Sequence, residues 1–274
     1  MNEILNNLHQ LPSIPAVVQE LISNFDNPEL DSQHLAQKIG QDQALTAKVL
    51  RVANSAFYGL PRQVGSIQEA VVVLGFSTVR SLVLSAGIID AFATASPACV
   101  DHRRHWQRSL DTATYARAVA KCLRQDSETA FSAGLLHDIG IMVLDVCDHE
   151  RFAALWQATE AGENGLIEAE RAALGFDHAE LGAEVARRWK FPPVIEEAIR
   201  RHYQPEYQPF QLLTGIVQAA AILARLGEEQ VPADQWFAHI PPALSNALKL
   251  DRERLEKCLP QPEQVEAAKN QMLA

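Results

Sequence analysis

The sequence predicts an all-α protein, and three observations support that prediction. Apolar residues recur with a period of about 3.6 residues from Ile14 to Leu226, which is the repeat of an amphipathic helix. Alternation of apolar and polar residues, the pattern of a β-strand, is hard to find, and glycines and prolines interrupt the apolar runs at helical lengths. The chain has 274 residues, of which 47% are apolar, so it is long enough for one large domain or two modest ones with a true core.

Local chemistry marks where the helices are expected to begin and end. Pro15 suits the first turn of a helix, where a missing N–H is tolerated. Ser66 and Glu69 have the S-x-x-E spacing of a capping box. The other expected N-caps are Asp31 and Asp42. Glycines that follow apolar runs are expected to end helices, and they are Gly40, Gly75, Gly175 and Gly227.

The chain divides into three regions that differ in polarity and in the length of their predicted helices. Residues 13–95 predict a series of short helices, whereas longer helices are expected from Asp101 onward. The segment after Val231 is more polar and predicts only small helices. We therefore expect an amino-terminal helical part, a second helical part and a carboxy-terminal extension, at residues 1–100, 101–230 and 231–274.

Charge and loop composition exclude several classes of protein. Lys and Arg total 24 against 34 Asp and Glu, which gives a formal net charge of −10, and no basic run offsets it. Tight nucleic-acid binding through phosphate neutralisation is therefore not expected. Neither G-x-G-x-x-G nor G-x-x-x-x-G-K-[ST] occurs, which argues against the usual nucleotide-binding loops.

The first residues and the cysteines indicate where the protein works. The segment MNEILNNLHQLPSIP has neither a basic start nor a long apolar core, and no later segment approaches the ~18 uninterrupted apolar residues of a membrane helix. The four cysteines are scattered and form no C-x-x-C pair, which argues against a disulfide framework or a thiolate zinc site. We expect reduced thiols, no membrane association and a cytoplasmic location.

The stretch GLLHDIG, residues 134–140, carries the strongest chemical signal. The imidazole of His137 and the carboxylate of Asp138 are both good ligands for Zn, Mn or Fe, and a metal held there would acidify bound water. Adjacent helical residues point ~100° apart, so both would face one ion only if the helix ends or deforms, which Gly140 permits. The alternative is structural: His137 donates to a backbone carbonyl, and Asp138 caps a helix that begins near Ile139.

Several ordered motifs together resemble the HDOD domain, a relative of the HD and HD-GYP phosphohydrolases. They are LPSIPAVVQEL, QDQALTAKVLRVANSAFYG, SIQEAVVVLGFSTVRSLVL, the tryptophan-centred HWQRSLDTATYARAVA, and GLLHDIG. The resemblance extends from about Leu11 to about Tyr203. It implies an all-helical fold in which an amino-terminal HDOD bundle packs on an HD-like bundle, and a signalling or regulatory setting that is common in bacteria.

The resemblance implies four metal-ligand positions, and two of them hold other residues here. His137 and Asp138 match the His-Asp pair of the family. The early histidine of the family falls at Arg108, whose guanidinium cannot ligate a metal. The late aspartate falls near Ala221, in a helical segment without any carboxylate. About half of a working HD site is therefore missing.

Two later histidines resemble the additional ones of HD-GYP proteins. They are His178 in DHAELG and His202 in RRHYQP, although Tyr203 stands where a further partner is expected and the GYP tripeptide is absent. With the His-Asp pair they would converge on one divalent ion, Mn, Fe, Zn or Mg, with Arg108 close enough to repel it. The alternative is that all four are hydrogen-bonded core residues inherited from an enzyme ancestor. The missing ligands favour that alternative, on which no cofactor is expected.

Two histidines near the start of the second part offer another possibility. His102 and His105 precede Trp106, and a shift of register would let one of them replace the early ligand of the family. A solvated helix start is the simpler expectation for both.

Two functions from different classes are compatible with these residues. The first is a non-catalytic regulatory module that binds a protein partner of a signalling pathway, or a small signalling ligand, in a groove between the two helical parts. The second is a metal-dependent phosphohydrolase acting on a nucleotide or a cyclic dinucleotide. The residues at positions Arg108 and Ala221 favour the first, because hydrolysis needs a metal with an open coordination position.

The segment YGLPRQVGS offers a surface for a partner. Gly59, Pro61 and Gly65 interrupt the helical pattern and leave Arg62 and Gln63 on a loop. Since ligand and partner sites favour the seam between packed parts, we predict that this loop contacts the partner. The alternative is an ordinary connector.

Overall fold

The structure is a computed structural model that describes residues 1, 4, 14–25, 27, 32–93, 98–158, 162–204 and 208–274. Every regular element in these residues is a helix, so the predicted all-α class is confirmed. The expected cap Asp31 and the start of the resemblance at Leu11 lie outside the described residues.

The predicted change from short to long helices is seen only in part, because the first part contains a helix of 17 residues and the second part contains helices of 9 residues. The amino-terminal part contains α1 (Ala16–Ser23), α2 (Ser32–Ile39), α3 (Gln43–Ala53), α4 (Ile67–Leu74) and α5 (Phe76–Phe92). The second part contains α6 (His102–Cys122), α7 (Ser127–Leu136), α8 (Ile139–Cys147), α9 (His149–Ala158), α10 (Gly162–Leu174), α11 (His178–Arg188), α12 (Pro193–Arg201) and α13 (Leu212–Glu228). A 3-10 helix (Ala233–His239), α14 (Pro242–Leu248), α15 (Arg252–Cys258) and α16 (Pro262–Leu273) follow.

Most of the expected helix ends are where the local chemistry places them. The carboxylate of Asp42 accepts the N–H of Leu45 at 3.0 Å, and the hydroxyl of Ser66 accepts the N–H of Glu69 at 3.1 Å, as N-caps do. Gly75, with φ 85°, follows α4 in a conformation that suits glycine.

Gly227 does not end its helix, contrary to the prediction. Helix α13 continues to Glu228, and the chain leaves it at Gln230, which has a φ of 57°. The N–H of Gln230 bonds to the carbonyl of Gly227 at 3.1 Å, and that of Val231 bonds to Leu226 at 2.9 Å. These two bonds form a Schellman motif around Gln230, which therefore replaces the expected glycine.

The two helical parts share one apolar core. Phe25 from the end of α1 packs against Phe191 before α12, with ring centroids 6.1 Å apart. Phe92 at the end of α5 packs against Trp106 on α6, at 6.0 Å. Because these contacts join residues on both sides of residue 100, the amino-terminal bundle packs directly on the HD-like bundle. The boundaries at residues 100 and 230 stay predictions.

The last helix, α16, lies across the seam between the two parts. It contacts both α3 and α6, and it buries Val265 and Met272. Lys269 on α16 forms an ion pair with Asp111 on α6, with Nζ 2.8 Å from Oδ2. The groove that the sequence analysis assigned to a partner is thus occupied in part by a helix of this chain.

Among the described residues, one segment resembles a membrane span by length and composition alone. It is Ser127–Cys147, which comprises α7, the His-Asp pair and α8. Of its most apolar window, 89% is buried inside the protein, so the segment forms the centre of the second helical part.

Candidate metal centre

The His-Asp pair lies between two helices. Helix α7 ends at Leu136 and α8 begins at Ile139, so His137 and Asp138 occupy the break. Asp138 has a φ of −106° and a ψ of 17°, and its side chain makes no capping bond to α8. The capping role considered for Asp138 is therefore wrong, and its carboxylate is available to other groups. The imidazole of His137 does bond to a backbone carbonyl, with Nδ1 2.8 Å from the oxygen of Gly134.

Three histidines surround the carboxylate of Asp138. Nε2 of His137 lies 3.1 Å from Oδ2, Nε2 of His202 lies 3.2 Å from Oδ1, and Nε2 of His178 lies 3.7 Å from Oδ1. The helix break supplies His137, the first residue of α11 supplies His178, and the residue after α12 supplies His202. The four residues named from the sequence thus converge, and none is more than 5% exposed.

The hydrogen bonds behind the rings show which nitrogen faces Asp138. Nδ1 of His137 faces the carbonyl of Gly134, Nδ1 of His202 faces the carbonyl of Ile199 at 2.8 Å, and Nδ1 of His178 faces a carboxylate. Because carbonyl and carboxylate oxygens only accept, each Nδ1 is the protonated nitrogen. In a neutral ring, Nε2 then carries a lone pair, and all three lone pairs point at an anionic carboxylate. A positive charge resolves that conflict, either as a proton on Nε2 or as a metal ion between the rings.

Glu170 supports the cluster from behind, and the sequence analysis missed it. Its Oε2 accepts Nδ1–H of His178 at 2.7 Å and the backbone N–H of His178 at 2.9 Å, and Glu170 is fully buried. A carboxylate behind a histidine is the arrangement that orients imidazole ligands in metal sites. In the sequence, Glu170 is only a polar residue on a predicted helix, and helical periodicity does not reveal which side chain it faces.

Burial and charge act against each other on the acidic and basic groups here. Burial would raise the pKa of the Asp138 carboxyl, but His137 and His202 outweigh it and hold that pKa well below its usual range. Burial would lower the pKa of His178, but the bond and the charge of Glu170 raise it above its ordinary value. The pocket therefore keeps Asp138 as an anion, which is the form that binds a cation.

Tyr203 has a structural role at this site. Its hydroxyl donates to Oδ2 of Asp177 at 2.8 Å, and Asp177 caps α11 by accepting the N–H of Glu180 at 2.8 Å. Arg171 reaches the same Oδ2 of Asp177, with Nη2 2.8 Å away. Tyr203 thus helps to fix the start of the helix that carries His178.

Arg108 and Ala221 lie on neighbouring helices, and neither supplies a ligand. Arg108 lines a cavity of about 390 Å³ bounded by α6, α13 and α16. Ala221 is partly exposed on α13. Three residues before it, the buried Gln218 donates to the carbonyl of Arg201 at 3.2 Å, beside the start of the His202 turn.

His105 is not part of a solvated helix start, contrary to the expectation. Its Nε2 is buried, and burial lowers the pKa of its imidazole to about 4, although the charge of Asp138 opposes this shift. His105 precedes Arg108 by one helical turn, so a histidine from this helix does approach the pair. His102 is not solvated either, because its Nε2 lies 3.0 Å from Oδ2 of the buried Asp145.

The loop proposed to contact a partner is exposed, and an ion pair and two hydrogen bonds hold it in place. Arg62 is 74% exposed at its side chain and pairs with Glu69 at 2.6 Å, and Gln63 is exposed. Asn54 spans the base of the loop: its amide donates to the carbonyl of Val64 at 2.9 Å and its Oδ1 accepts the N–H of Val64 at 2.8 Å.

Known proteins resemble this chain along most of its length. A solved structure from Shewanella amazonensis, named as a candidate phosphohydrolase, is 29% identical, covers 98% of both chains and has a TM-score of 0.83. One from Marinobacter aquaeolei, named as a candidate signal-transduction protein, is 25% identical, covers 98% of this chain and 61% of that chain, and has a TM-score of 0.76.

A curated protein and a family model also match most of this chain. An uncharacterized protein of Treponema pallidum is 25% identical over 257 residues, which are 92% of this chain and 48% of that protein, so the chain spans about half the length of this relative. The model of the HDOD domain matches residues 11–205. Since that match covers well over half of the sequence, the chain belongs to the HDOD domain family.

Proposed function

We propose that this protein is a non-catalytic HDOD regulatory module in which the former HD pocket holds a divalent metal ion as part of the fold. The observation that carries the proposal is the convergence of three histidine Nε2 atoms on the buried Asp138 carboxylate, with each Nδ1 bonded to an acceptor. The residues fit a metal because three imidazoles and one carboxylate form a donor set typical of Zn or Fe(II).

A bound metal of this class supplies an acidified water or a polarised oxygen when it has an open position. The pocket argues against that use. His137, Asp138, His178 and His202 are between 0% and 5% exposed, which favours an ion held inside the fold over one that contacts a phosphate ester. Two ligand positions of the family are also lost, because they hold Arg108 and Ala221 here. A site closed by four protein ligands is typical of structural metals.

The signalling role rests on the relatives and on the loop. The Marinobacter aquaeolei protein is named for signal transduction, and we extend that setting to this chain. We propose that the exposed loop residues Arg62 and Gln63 contact a protein partner. The two hydrogen bonds between Asn54 and Val64 hold the loop in one conformation before binding, which lowers the entropy cost of the contact.

Metal analysis of the purified chain tests the proposed centre. We expect at least one equivalent of Zn or Fe in the protein as isolated, and the loss of one equivalent in Asp138→Asn, which keeps the shape of the side chain but removes its charge. His239→Ala is the matched control, because His239 is exposed in the carboxy-terminal extension. A protein that never retains metal at this pocket would show that the histidines are hydrogen-bonded core residues.

Activity assays test the non-catalytic role. We expect negligible phosphatase and phosphodiesterase turnover with Mn, Mg, Fe or Zn supplied, because two ligand positions of the parent site hold residues without a ligand atom. Turnover that His137→Ala abolishes would overturn the proposal and establish the phosphohydrolase alternative.

A further inference from the structure

A second cluster of possible ligands lies at the opposite end of α8 from the His-Asp pair. It contains Cys99 from the segment before α6, Asp145 from α8 and His149, the first residue of α9. One ligand atom from each of these residues lies within 4.8 Å of those of the other two. Asp145 is seven residues after Asp138, so the two clusters are about 10 Å apart along the helix.

Five polar groups face the carboxylate of Asp145. Its Oδ1 lies 2.9 Å from the N–H of Cys99, 3.0 Å from the thiol of Cys99 and 3.1 Å from Nδ1 of His149. Its Oδ2 lies 3.2 Å from the N–H of Val100 and 3.0 Å from Nε2 of His102. The thiol of Cys99 donates, whereas the role of each imidazole nitrogen depends on its tautomer. If His149 carries its proton on Nε2, the lone pair of its Nδ1 points at the anionic Oδ1.

A cation among these groups would relieve the contact between Nδ1 of His149 and Oδ1 of Asp145. If the Cys99 thiol loses its proton and His149 carries its proton on Nε2, then Sγ and Nδ1 become ligands and no longer donate. Oδ1 of Asp145 then keeps the N–H of Cys99 and gains the ion, while Oδ2 keeps Val100 and His102. All four lone-pair sites are filled, and the charges of the carboxylate and the thiolate balance a divalent ion.

We propose that Cys99, Asp145 and His149 form a zinc site, with the fourth position open to water and with His102 orienting the carboxylate. A thiolate beside an imidazole and a carboxylate favours Zn²⁺ over Mg²⁺, Ca²⁺ or Mn²⁺. An ion can reach the site, because the side chains of His149 and His102 are 25% and 17% exposed. The proposal does not rest on the proposed function.

Loading of the site releases a proton. The thiol of Cys99 donates to Oδ1 of Asp145 at 3.0 Å, so the empty site holds a neutral thiol. Binding forms the S–Zn bond and breaks the S–H bond, and the proton goes to solvent. The affinity for Zn²⁺ therefore rises with pH.

Cobalt substitution of the intact chain distinguishes this site from the HD pocket. A thiolate ligand gives Co²⁺ a charge-transfer absorption in the near ultraviolet, and the HD pocket has only nitrogen and oxygen donors. After removal of all metal, we expect Co²⁺ to produce this absorption and two equivalents of Zn²⁺, one for each proposed site, to remove it. Cys99→Ser and His149→Ala should each abolish it, and His102→Ala should weaken binding by about 10- to 100-fold.

Two control variants keep the result unambiguous. Cys258→Ser should retain the absorption, because Cys258 lies near Cys122 and away from this cluster. Asp138→Asn should also retain it, so the HD pocket can fail to bind metal without any effect here. If Cys99→Ser does not fold by circular dichroism, the His149→Ala result decides. A wild-type protein without the absorption, or one that keeps it in a folded Cys99→Ser or His149→Ala variant, overturns the proposal.

Discussion

The carbonyl oxygen of His178 lies 1.8 Å from the point where a β-carbon on Gly140 would stand. Gly140 is the second residue of α8, and His178 is the first residue of α11. The absence of a side chain at Gly140 therefore allows the backbones of these two helices to touch. This approach brings His178 within reach of Asp138, so the glycine of GLLHDIG acts on the site through helix packing.

Replacement of Gly140 by alanine should strongly destabilise the protein. The new β-carbon meets backbone atoms that cannot rotate away, and overpacking of this kind costs about 3 kcal/mol or more in the free energy of unfolding. Urea denaturation followed by circular dichroism measures the change. Gly65→Ala is the control, since the nearest atom to its β-carbon is 3.9 Å away, and it should change stability by less than about 0.5 kcal/mol. A Gly140→Ala variant as stable as the control would mean that α8 and α11 can separate at little cost.

Loss of Arg117 should destabilise the seam between the two helical parts. Its Nη2 lies 2.7 Å from Oε2 of Glu128 in a buried pair, and its Nη1 donates to the hydroxyl of Tyr58 at 3.1 Å. Arg117→Met leaves the buried carboxylate without its cation, which costs about 3–5 kcal/mol. Arg252→Met breaks an exposed pair and should cost less than about 1 kcal/mol in the same urea titration. If the two substitutions lowered the free energy of unfolding equally, the buried pair of Arg117 and Glu128 would not stabilise the seam more than an exposed pair does.

Acidification should destabilise the protein through His105. Its pKa is about 4 in the fold against about 6.5 in an unfolded chain, so the unfolded chain takes up the proton first. The stability is fully present above pH ~6.5 and is lost as the pH falls towards ~4, by up to about 3 kcal/mol. Asp138 opposes the shift, while His137, Arg108 and His102 add to it.

Comparison of the wild type with His105→Gln isolates this contribution. Gln cannot be protonated in this range, so the variant should lose less stability between pH 6.5 and 4 than the wild type does. Unfolding free energies at several pH values in this range provide the measurement. Parallel pH profiles would show that His105 is already charged or solvated in the fold.

Glu170 should position His178 for metal binding. Glu170→Gln keeps the shape of the side chain but weakens the bond to Nδ1, and loss of such support lowers metal affinity by about 10- to 100-fold. Glu168→Gln is an exposed control on the same helix and should leave the affinity unchanged. Competition with a metal chelator measures both. An unaltered affinity in Glu170→Gln would remove Glu170 from the centre.

The loop that carries Arg62 and Gln63 should contribute to partner binding without contributing to stability. Arg62→Ala removes an exposed ion pair with Glu69, so the unfolding free energy should change by less than about 1 kcal/mol. A pull-down from the native host with Arg62→Ala and Gln63→Ala should recover less of the partner than the wild type does. A partner that is lost with His137→Ala but retained with both loop variants would place the working surface in the HD pocket.

The sequence predicts the fold class and the central pair for clear physical reasons. Helical periodicity is a local property, and His137 and Asp138 are adjacent in the chain, so both can be seen without tertiary structure. Glu170 cannot be found in this way, because it reaches His178 only after α10 packs beside α11. The same limit hides the second cluster: Asp145 lies 46 residues from Cys99, whereas cysteine spacing rules consider only nearby pairs.

The histidines at the start of α6 show where a local argument fails. The run HRRHW is polar, which predicts solvent exposure. The tertiary packing instead buries Nε2 of His105 and pairs His102 with Asp145. The side chains of Arg103 and Arg104 are exposed to solvent on the opposite side of the same turn.

The position of α16 across the seam affects the order of events during synthesis. Its contacts with α3 join residues more than 200 positions apart in the sequence, and contacts of such long range form late and slowly. Until α16 has been synthesised and has folded back, the surfaces of α3 and α6 that it covers lack that cover. Closure of the seam therefore comes after the synthesis of Met272, a buried residue of α16, and earlier nascent chains lack this cover.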